Sequence, residues 1–480
     1  MISFQAYDFH VLNMKTRMPF QYGIASLTSL PHLILHAQVE VDGVSQEGAA
    51  SEGLPPKWFT KNPQTHFNDD LPALIEVIET ACAAMVSIGA CESPFQLWKS
   101  TFEVQRAWAE DKGYPPLLWA FGVSLAERAM IDAFCKAKRI PFIQALQQNA
   151  FGIDLGSIHP ELEGTEPSQW LPREPATRLT VRQTVGLGDP LFDADINERD
   201  RINDGLPQSL ESCIKTYGID HFKIKICGNE ENDLDRLRRI ASLFEAFNLK
   251  NYAFTLDGNE QFREIETFRS FWQRANSDPN LSTFFSHLLF VEQPLHRDVA
   301  LSEVVASQQL AWSDRPPTII DESDGDTNSL RIALKNGYIG TSHKNCKGVF
   351  KGIANACYIH FLNDGSKQKK YEMSGEDLAN VGPIALLQDL TAMSALGIKH
   401  VERNGHHYFK GLSMWPERLN KDVLATHADL YHKSADGFPT LNIENGVIKI
   451  DSLLQSPFGC GIMVDHSEYI PLKNWSANSL

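Results

Sequence analysis

The sequence predicts an α/β fold, a parallel (β/α) barrel preceded by an α+β module, and three observations carry that expectation. The first is His221-Phe222-Lys223-Ile224-Lys225-Ile226, followed by Cys227-Gly228, which alternates apolar with cationic residues at the period of a β-strand. The second is that four later apolar runs also end on ionisable side chains: Asp257, Glu292, Asp321 and Lys344. The third is spacing: from Lys225 the steps are 32, 35, 29 and 23 residues, about one βα unit each. In a parallel barrel the active site lies where the strands end, so these charges are expected to converge there.

Composition narrows the class. A chain of 480 residues with 42% hydrophobic and 22% charged residues has the make-up of a globular protein with a large core. Its net charge of −16 argues against nucleic acid or an anionic membrane surface as partner, while leaving room for a small anionic substrate at a local cationic site. The eight cysteines are scattered without a C-x-x-C, so neither a zinc site nor a disulfide framework is indicated by them. The start lacks a basic and an apolar leader region, no run is expected to reach membrane-spanning length, and a cytoplasmic location follows by default. Nothing fixes the oligomeric state, and a homo-oligomer is compatible with the sequence.

Taken in order, residues 1–147 read as an α+β capping module. Leu33 to Gly43 is a strand ending in an Asp42-Gly43 turn signal. Before it, Phe20–Leu30 mixes small, polar and aromatic residues and suits either a mobile loop or an ordinary hairpin. Leu71, Leu74, Ile75, Ile78, Cys82 and Met85 form one apolar helical stripe, and Trp119–Lys138 is apolar enough to be a buried helix. Glu127 and Asp132 within it are expected at a solvated edge or in structural ion pairs rather than in catalysis. Residues 148–404 read as the barrel, with loop-rich insertions over 148–205 around a first strand at Arg178–Val185. Strands at Lys369–Ser374 and Ile398–Glu402 flank a helix that begins near Pro383 and stops at Gly397, bringing the strand count to eight. Residues 405–480, rich in Pro, Asn and aromatic residues, are expected to pack back on the N-terminal module.

The chemistry follows from residue type. Asp257, Glu292 and Asp321 offer oxygen-only ligands on adjacent strand ends, which suit a hard cation, Mg²⁺ first. Lys223 and Lys225 stand two apart on one strand, about 7 Å from each other. Mutual repulsion and burial are expected to lower their pKa values towards those of a general base. Lys344 lies four strands on, on the opposite wall, with Lys347 as the rival for its role. A cation between two lysine-bearing walls suits removal of the proton α to a carboxylate.

In the order Lys223-Ile-Lys225, Asp257-Gly-Asn259, Val291-Glu292-Gln-Pro294, Asp321-Glu322-Ser323 and Lys344-Asn-Cys-Lys347-Gly348, the chain resembles the enolase superfamily, in its muconate lactonizing branch. Fainter similarity runs through Phe20–Gly53 and Ala126–Pro141. The resemblance implies a modified TIM barrel under an α+β N-terminal capping domain completed by the C-terminal segment. It implies Mg²⁺ on Asp257, Glu292 and Asp321, Lys225 and Lys344 as the acid/base pair, and Lys223 in support. It also implies that residues 20–30 help close over the substrate. Asn259, Glu402, Asn404 and His406 stand where substrate contacts would fall, and Glu322 is an alternate ligand. Two departures stand out: Gly348-Val349 replaces the usual Gly-Gly, and Glu402-Arg403-Asn404 replaces the Asp-x-Asp of dipeptide epimerases. The adjacent His406-His407 is a substrate contact or, more commonly for histidine, a surface pair.

The leading expectation is a Mg²⁺-dependent racemase, epimerase or cycloisomerase acting on a small carboxylate through an enediolate. A β-elimination lyase, such as an o-succinylbenzoate synthase or acid-sugar dehydratase, is the alternative on the same site. A non-catalytic binding protein ranks lower, because no ligand or lysine is missing. A zinc hydrolase is disfavoured by the lack of a His-x-His on an early strand.

Overall fold

The computed structural model describes residues 1–365 and 370–480. At the N-terminus, β1 (Ile2–Tyr22), β2 (Ala25–Val41) and β3 (Val44–Gly53) form an antiparallel meander. The β2–β3 link is the Asp42-Gly43 turn, with φ of 49° and 80°, the left-handed pair of a type I′ hairpin. Phe20–Leu30 is a hairpin: Phe20 pairs with Leu27 and Tyr22 with Ala25. Three helices, Phe67–Ile88, Pro94–Lys112 and Pro116–Lys138, pack behind this sheet. The first has the length and hydropathy of a membrane span, contrary to the expectation that no run would. Here its Leu71, Leu74, Ile78, Cys82 and Met85 are buried, on a face that packs against the other two helices. The Pro116–Lys138 helix is buried on nearly every side. Its Glu127 accepts from the backbone N–H groups of Val349 and Phe350, capping the helix Val349–Asp364, while Asp132 pairs with Lys136.

Eight parallel strands follow: β4 (Arg178–Val185), β5 (His221–Lys225), β6 (Ala253–Asp257), β7 (Leu288–Glu292), β8 (Thr318–Ile320), β9 (Gly340–His343), β10 (Glu372–Gly375) and β11 (His400–Glu402). They lie in sequence order, and β11 pairs with β4 to close the barrel. β10 starts at Glu372, and Lys369 of the expected strand lies outside the described residues. The helix expected from Pro383 to Gly397 spans Ala385–Ala395.

The last stretch holds a small hairpin, β12 (Tyr431–Lys433) with β13 (Pro439–Leu441), and then β14 (Val447–Lys449) and β15 (Ile470–Pro471). β14 runs antiparallel to β4 at the barrel's foot, and β15 pairs with His10 and Val11 of β1. Trp475 Nε1 donates to Asn13 Oδ1 at 2.7 Å, and Asn13 Nδ2 donates to the Ser479 carbonyl at 2.9 Å. Residues after 405 therefore touch both the barrel and the N-terminal sheet.

Candidate active site

On β5 both faces are buried, which is why its cations are not a solvated surface. Phe222 turns outward onto Phe244 of the surrounding helix Glu230–Ala246, with ring centroids 4.4 Å apart, while Lys223 and Lys225 point into the barrel. Strand register then sets the site: Lys225 lies opposite Asp257, and Asp257 opposite Glu292. Asp321 and Lys344 directly follow the last residues of β8 and β9. The turn bearing Asp321 is held by Gln293, whose Oε1 accepts from the Asp321 N–H at 2.8 Å and the Ser323 N–H at 3.2 Å.

Lys223 Nζ sits among four carboxylates: Asp257 at 3.0 Å, Glu292 at 2.8 Å, Glu376 at 2.7 Å and Glu402 at 3.1 Å. Lys225 is ion-paired with Asp257. Across the barrel, Lys344 Nζ lies 2.6 Å from Asp321 and 4.3 Å from the centre of the Trp58 ring, a cation–π geometry. The expected lowering of Lys223 is not found. Burial works in that direction, but Asp257, Glu292, Glu376 and Glu402 outweigh it and hold Lys223 well above the ordinary lysine range. Lys344 is raised likewise, burial being overcome chiefly by Asp321. Burial also acts on the acids. It lifts Glu292 well above the carboxylate range, with Asp257 and Glu376 adding to it, whereas Lys344 and Lys347 bring Asp321 well below in spite of burial.

Lys223, Lys225, Lys344, Asn259, Glu402 and Asn404 line one cavity under Phe20, Tyr22, Leu27, Pro55 and Trp58 of the N-terminal module. Its volume of about 30 Å³ holds one or two water molecules. Lys347 does not line it: its Nζ is 2.7 Å from Ser342 Oγ and 3.2 Å from Asp321 Oδ1. Glu322 accepts from Asn259 Nδ2 at 3.1 Å, and burial beside Asp321 and Glu260 lifts it to about 7. His406 does not reach the cavity either. The short helix Gly405–Tyr408 carries it away, against Tyr217, with centroids 5.6 Å apart. His407 is buried against Cys213, so the surface reading of the pair does not hold.

Sequence reasoning missed Glu376 and Arg182. Arg182, midway along β4, is ion-paired with Glu376 and donates to Ser374 Oγ at 2.9 Å. The signal for Glu376 is its place directly after β10, as Asp321 follows β8; β10 runs to Gly375, one residue beyond the expected strand. Trp58 left no comparable signal, because its role depends on how the N-terminal module docks. That docking is specific: Lys61 Nζ donates to the Asn259 carbonyl at 2.6 Å, and Arg297 donates to the carbonyls of Trp58 and Phe59 at 2.8 and 2.7 Å.

The donor set fits a hard divalent cation. Asp257, Glu292 and Asp321 are buried carboxylates, the oxygen donors a hard cation takes, and burial with Asp257 and Glu376 beside it lifts Glu292 well above the carboxylate range. A cation here would take over oxygens now held by Lys223 and Lys344.

No family model matches the sequence, and no curated protein matches it either. Solved structures do. A muconate lactonizing enzyme from Pseudomonas fluorescens, complexed with muconolactone, superposes with a TM-score of 0.59 at 13% identity, covering 97% of each chain. The chain has the mandelate racemase/muconate lactonizing fold. The same fold relates it to a dipeptide epimerase from Enterococcus faecalis (TM-score 0.56, 15% identity, 96% of this chain and 100% of that one). An enolase from Bradyrhizobium complexed with magnesium and mandelic acid matches at a TM-score of 0.57 and 13% identity, over 98% of each chain. The mandelate racemase/muconate lactonizing fold is thus matched over barrel and N-terminal module together.

Proposed function

We propose that this chain is an enzyme of the enolase superfamily that removes the α-proton of a small carboxylate substrate, leaving an enediolate, and acts as a racemase, epimerase or cycloisomerase. The observation that carries the reading is the placement of Lys225 and Lys344 on opposite walls of one cavity, beside three carboxylates at successive strand ends. Asp257, Glu292 and Asp321 would hold Mg²⁺, which when bound supplies positive charge for a substrate carboxylate and for the charge that develops on it. Lys225 Nζ and Lys344 Nζ then address opposite faces of the α-carbon, one taking a proton and the other returning one. Lys223, held by Glu376 and Glu402, positions the carboxylates of Asp257 and Glu292 beside Lys225. Asn259, Glu402 and Asn404 line the remainder of the cavity and would contact substrate.

One observation favours the elimination alternative. Lys344 is clamped between Asp321 and the Trp58 ring, a setting that suits a fixed cation better than a base. NMR of α-deuteration in D₂O, over N-acyl amino acids, dipeptides and hydroxy acids with Mg²⁺, separates the two. In a two-base isomerase, Lys225→Ala abolishes exchange of one stereoisomer and Lys344→Ala that of the other, each by about 10²-fold or more. In an elimination, Lys344→Ala slows turnover without separating isomers. Exchange surviving both substitutions would refute the lysine chemistry, and exchange with no substrate would point to a binding protein.

A further inference from the structure

The N-terminal sheet and the C-terminal segment bring three imidazoles and a carboxylate together. Asp8 pairs with His36 across β1 and β2, and His10 lies two residues on from Asp8, on the same face. Gln38 of β2 pairs with Glu47 of β3, which sets Glu47 diagonal to His36. His466, in the turn before β15, completes the group. His36 Nδ1 is 3.0 Å from Glu47 Oε1, and His466 Nδ1 is 3.8 Å from the same oxygen. The His36 and His466 rings are 4.5 Å apart, and that of His10 is 5.2 Å from His466. Ligand atoms of His36, Glu47 and His466 all lie within 4.8 Å of one another.

Two further facts mark this as more than a surface histidine cluster. His36 is only 5% exposed, its Nδ1 faces the Glu47 carboxylate, and its Nε2 has no hydrogen-bond partner among the described residues. The group also borders a cleft of about 550 Å³ that includes Gln46, Arg418 and Asp465, so an ion can reach it from solvent. Imidazoles with one carboxylate select zinc-like metals, where the oxygen-only barrel set selects Mg²⁺.

We propose that His36, Glu47 and His466 bind one divalent transition metal of the Zn²⁺ class, with His10 in reach as a further ligand, and that the ion fastens the C-terminal turn to the N-terminal sheet. The reading does not depend on the barrel chemistry. The test is calorimetric titration of chelator-stripped full-length protein with ZnCl₂ in excess MgCl₂, which occupies carboxylate sites without competing for imidazole. One equivalent should bind to the wild type, and at least about tenfold more weakly to His466→Ala and Glu47→Gln, both at partly exposed positions. Zn²⁺ should raise the melting temperature of the wild type and not that of His466→Ala. Co²⁺ should give a visible absorption band that is lost in the same variant. No saturable Zn²⁺ binding to the wild type, or binding of unchanged affinity and stoichiometry in His466→Ala, would overturn the proposal.

Discussion

Lys223 is the residue on which the barrel's charge turns. One ammonium serves Asp257, Glu292, Glu376 and Glu402, and Glu292 still sits above the carboxylate range. An added divalent cation should therefore bind by drawing Glu292 into its ionised form. Calorimetry of Mg²⁺ binding should show Glu292→Gln weakened at least about tenfold, since a neutral amide is a poor ligand for so hard a cation. Wild-type affinity in that variant would remove Glu292 from the ligand set. Much of this arrangement was legible in the sequence, because a strand that ends on a charge declares which end of the barrel it faces. What could not be read was the direction of the lysine shifts. Lys223 and Lys225 taken alone repel; at Lys223 the outcome is reversed first by Asp257 and Glu292 and then by Glu376 and Glu402, which lie 153 and 179 residues further along.

At the scale of elements, the insertions before β5 brace the structure in two places. Arg17 of β1 makes a buried pair with Asp204 at 2.7 Å and also donates to the carbonyls of Pro207 and His407 at 2.9 and 3.1 Å. Phe20 stacks on Tyr408, centroids 4.0 Å apart, and the Tyr408 hydroxyl donates to Asp189 at 2.6 Å. The earlier insertion is anchored by His159, which bonds Asn355 at 2.9 Å and stacks on Tyr358 at 4.4 Å, both on the helix Val349–Asp364. Burial lowers His159 from 6.5 to about 4, the Asn355 bond opposing only in part. Because the folded value is the lower one, the unfolded chain takes up the proton first. The stability His159 contributes is present above pH 6.5 and is lost as the pH falls towards 4, on the order of 3 kcal/mol over that window. Urea unfolding at pH 7 and pH 4.5 should show a larger loss for the wild type than for His159→Gln, and equal losses would refute the assignment. None of this was legible beforehand. Loop-rich composition identifies an insertion, but a single Arg or His gives no hint of the distant strand or helix it grips.

For the whole molecule, the cavity is shared property: its floor is barrel and its roof is the β1–β2 hairpin with Trp58. On the proposed function, a volume near 30 Å³ is too small for a carboxylate substrate with its side chain, and the roof is expected to lift for binding. The roof's far edge is tied down by β15 and by the Trp475–Asn13 bond. Removing residues 470–480, which spares His466, should lower the melting temperature and move the first cuts of limited proteolysis into residues 1–22. An unchanged cleavage pattern would show that the tail does not secure the sheet. The barrel itself was the most legible part of the fold, because repeated βα spacing is a local signal. The pairing of β15 with β1 was beyond reach, since a two-residue strand has no period.

That same pairing has a consequence for how the chain acquires its shape. His10 and Pro471 are partners, as are Val181 and Val401, so the edge strand of the N-terminal sheet and the closure of the barrel both come from contacts between remote parts of the chain. During synthesis the outer edge of β1 must wait for nearly the whole protein to emerge, presenting unpaired backbone groups meanwhile. Folding from the denatured state should accordingly be slow and finish late at the two seams, a burden of high contact order that the short links within each βα unit cannot relieve.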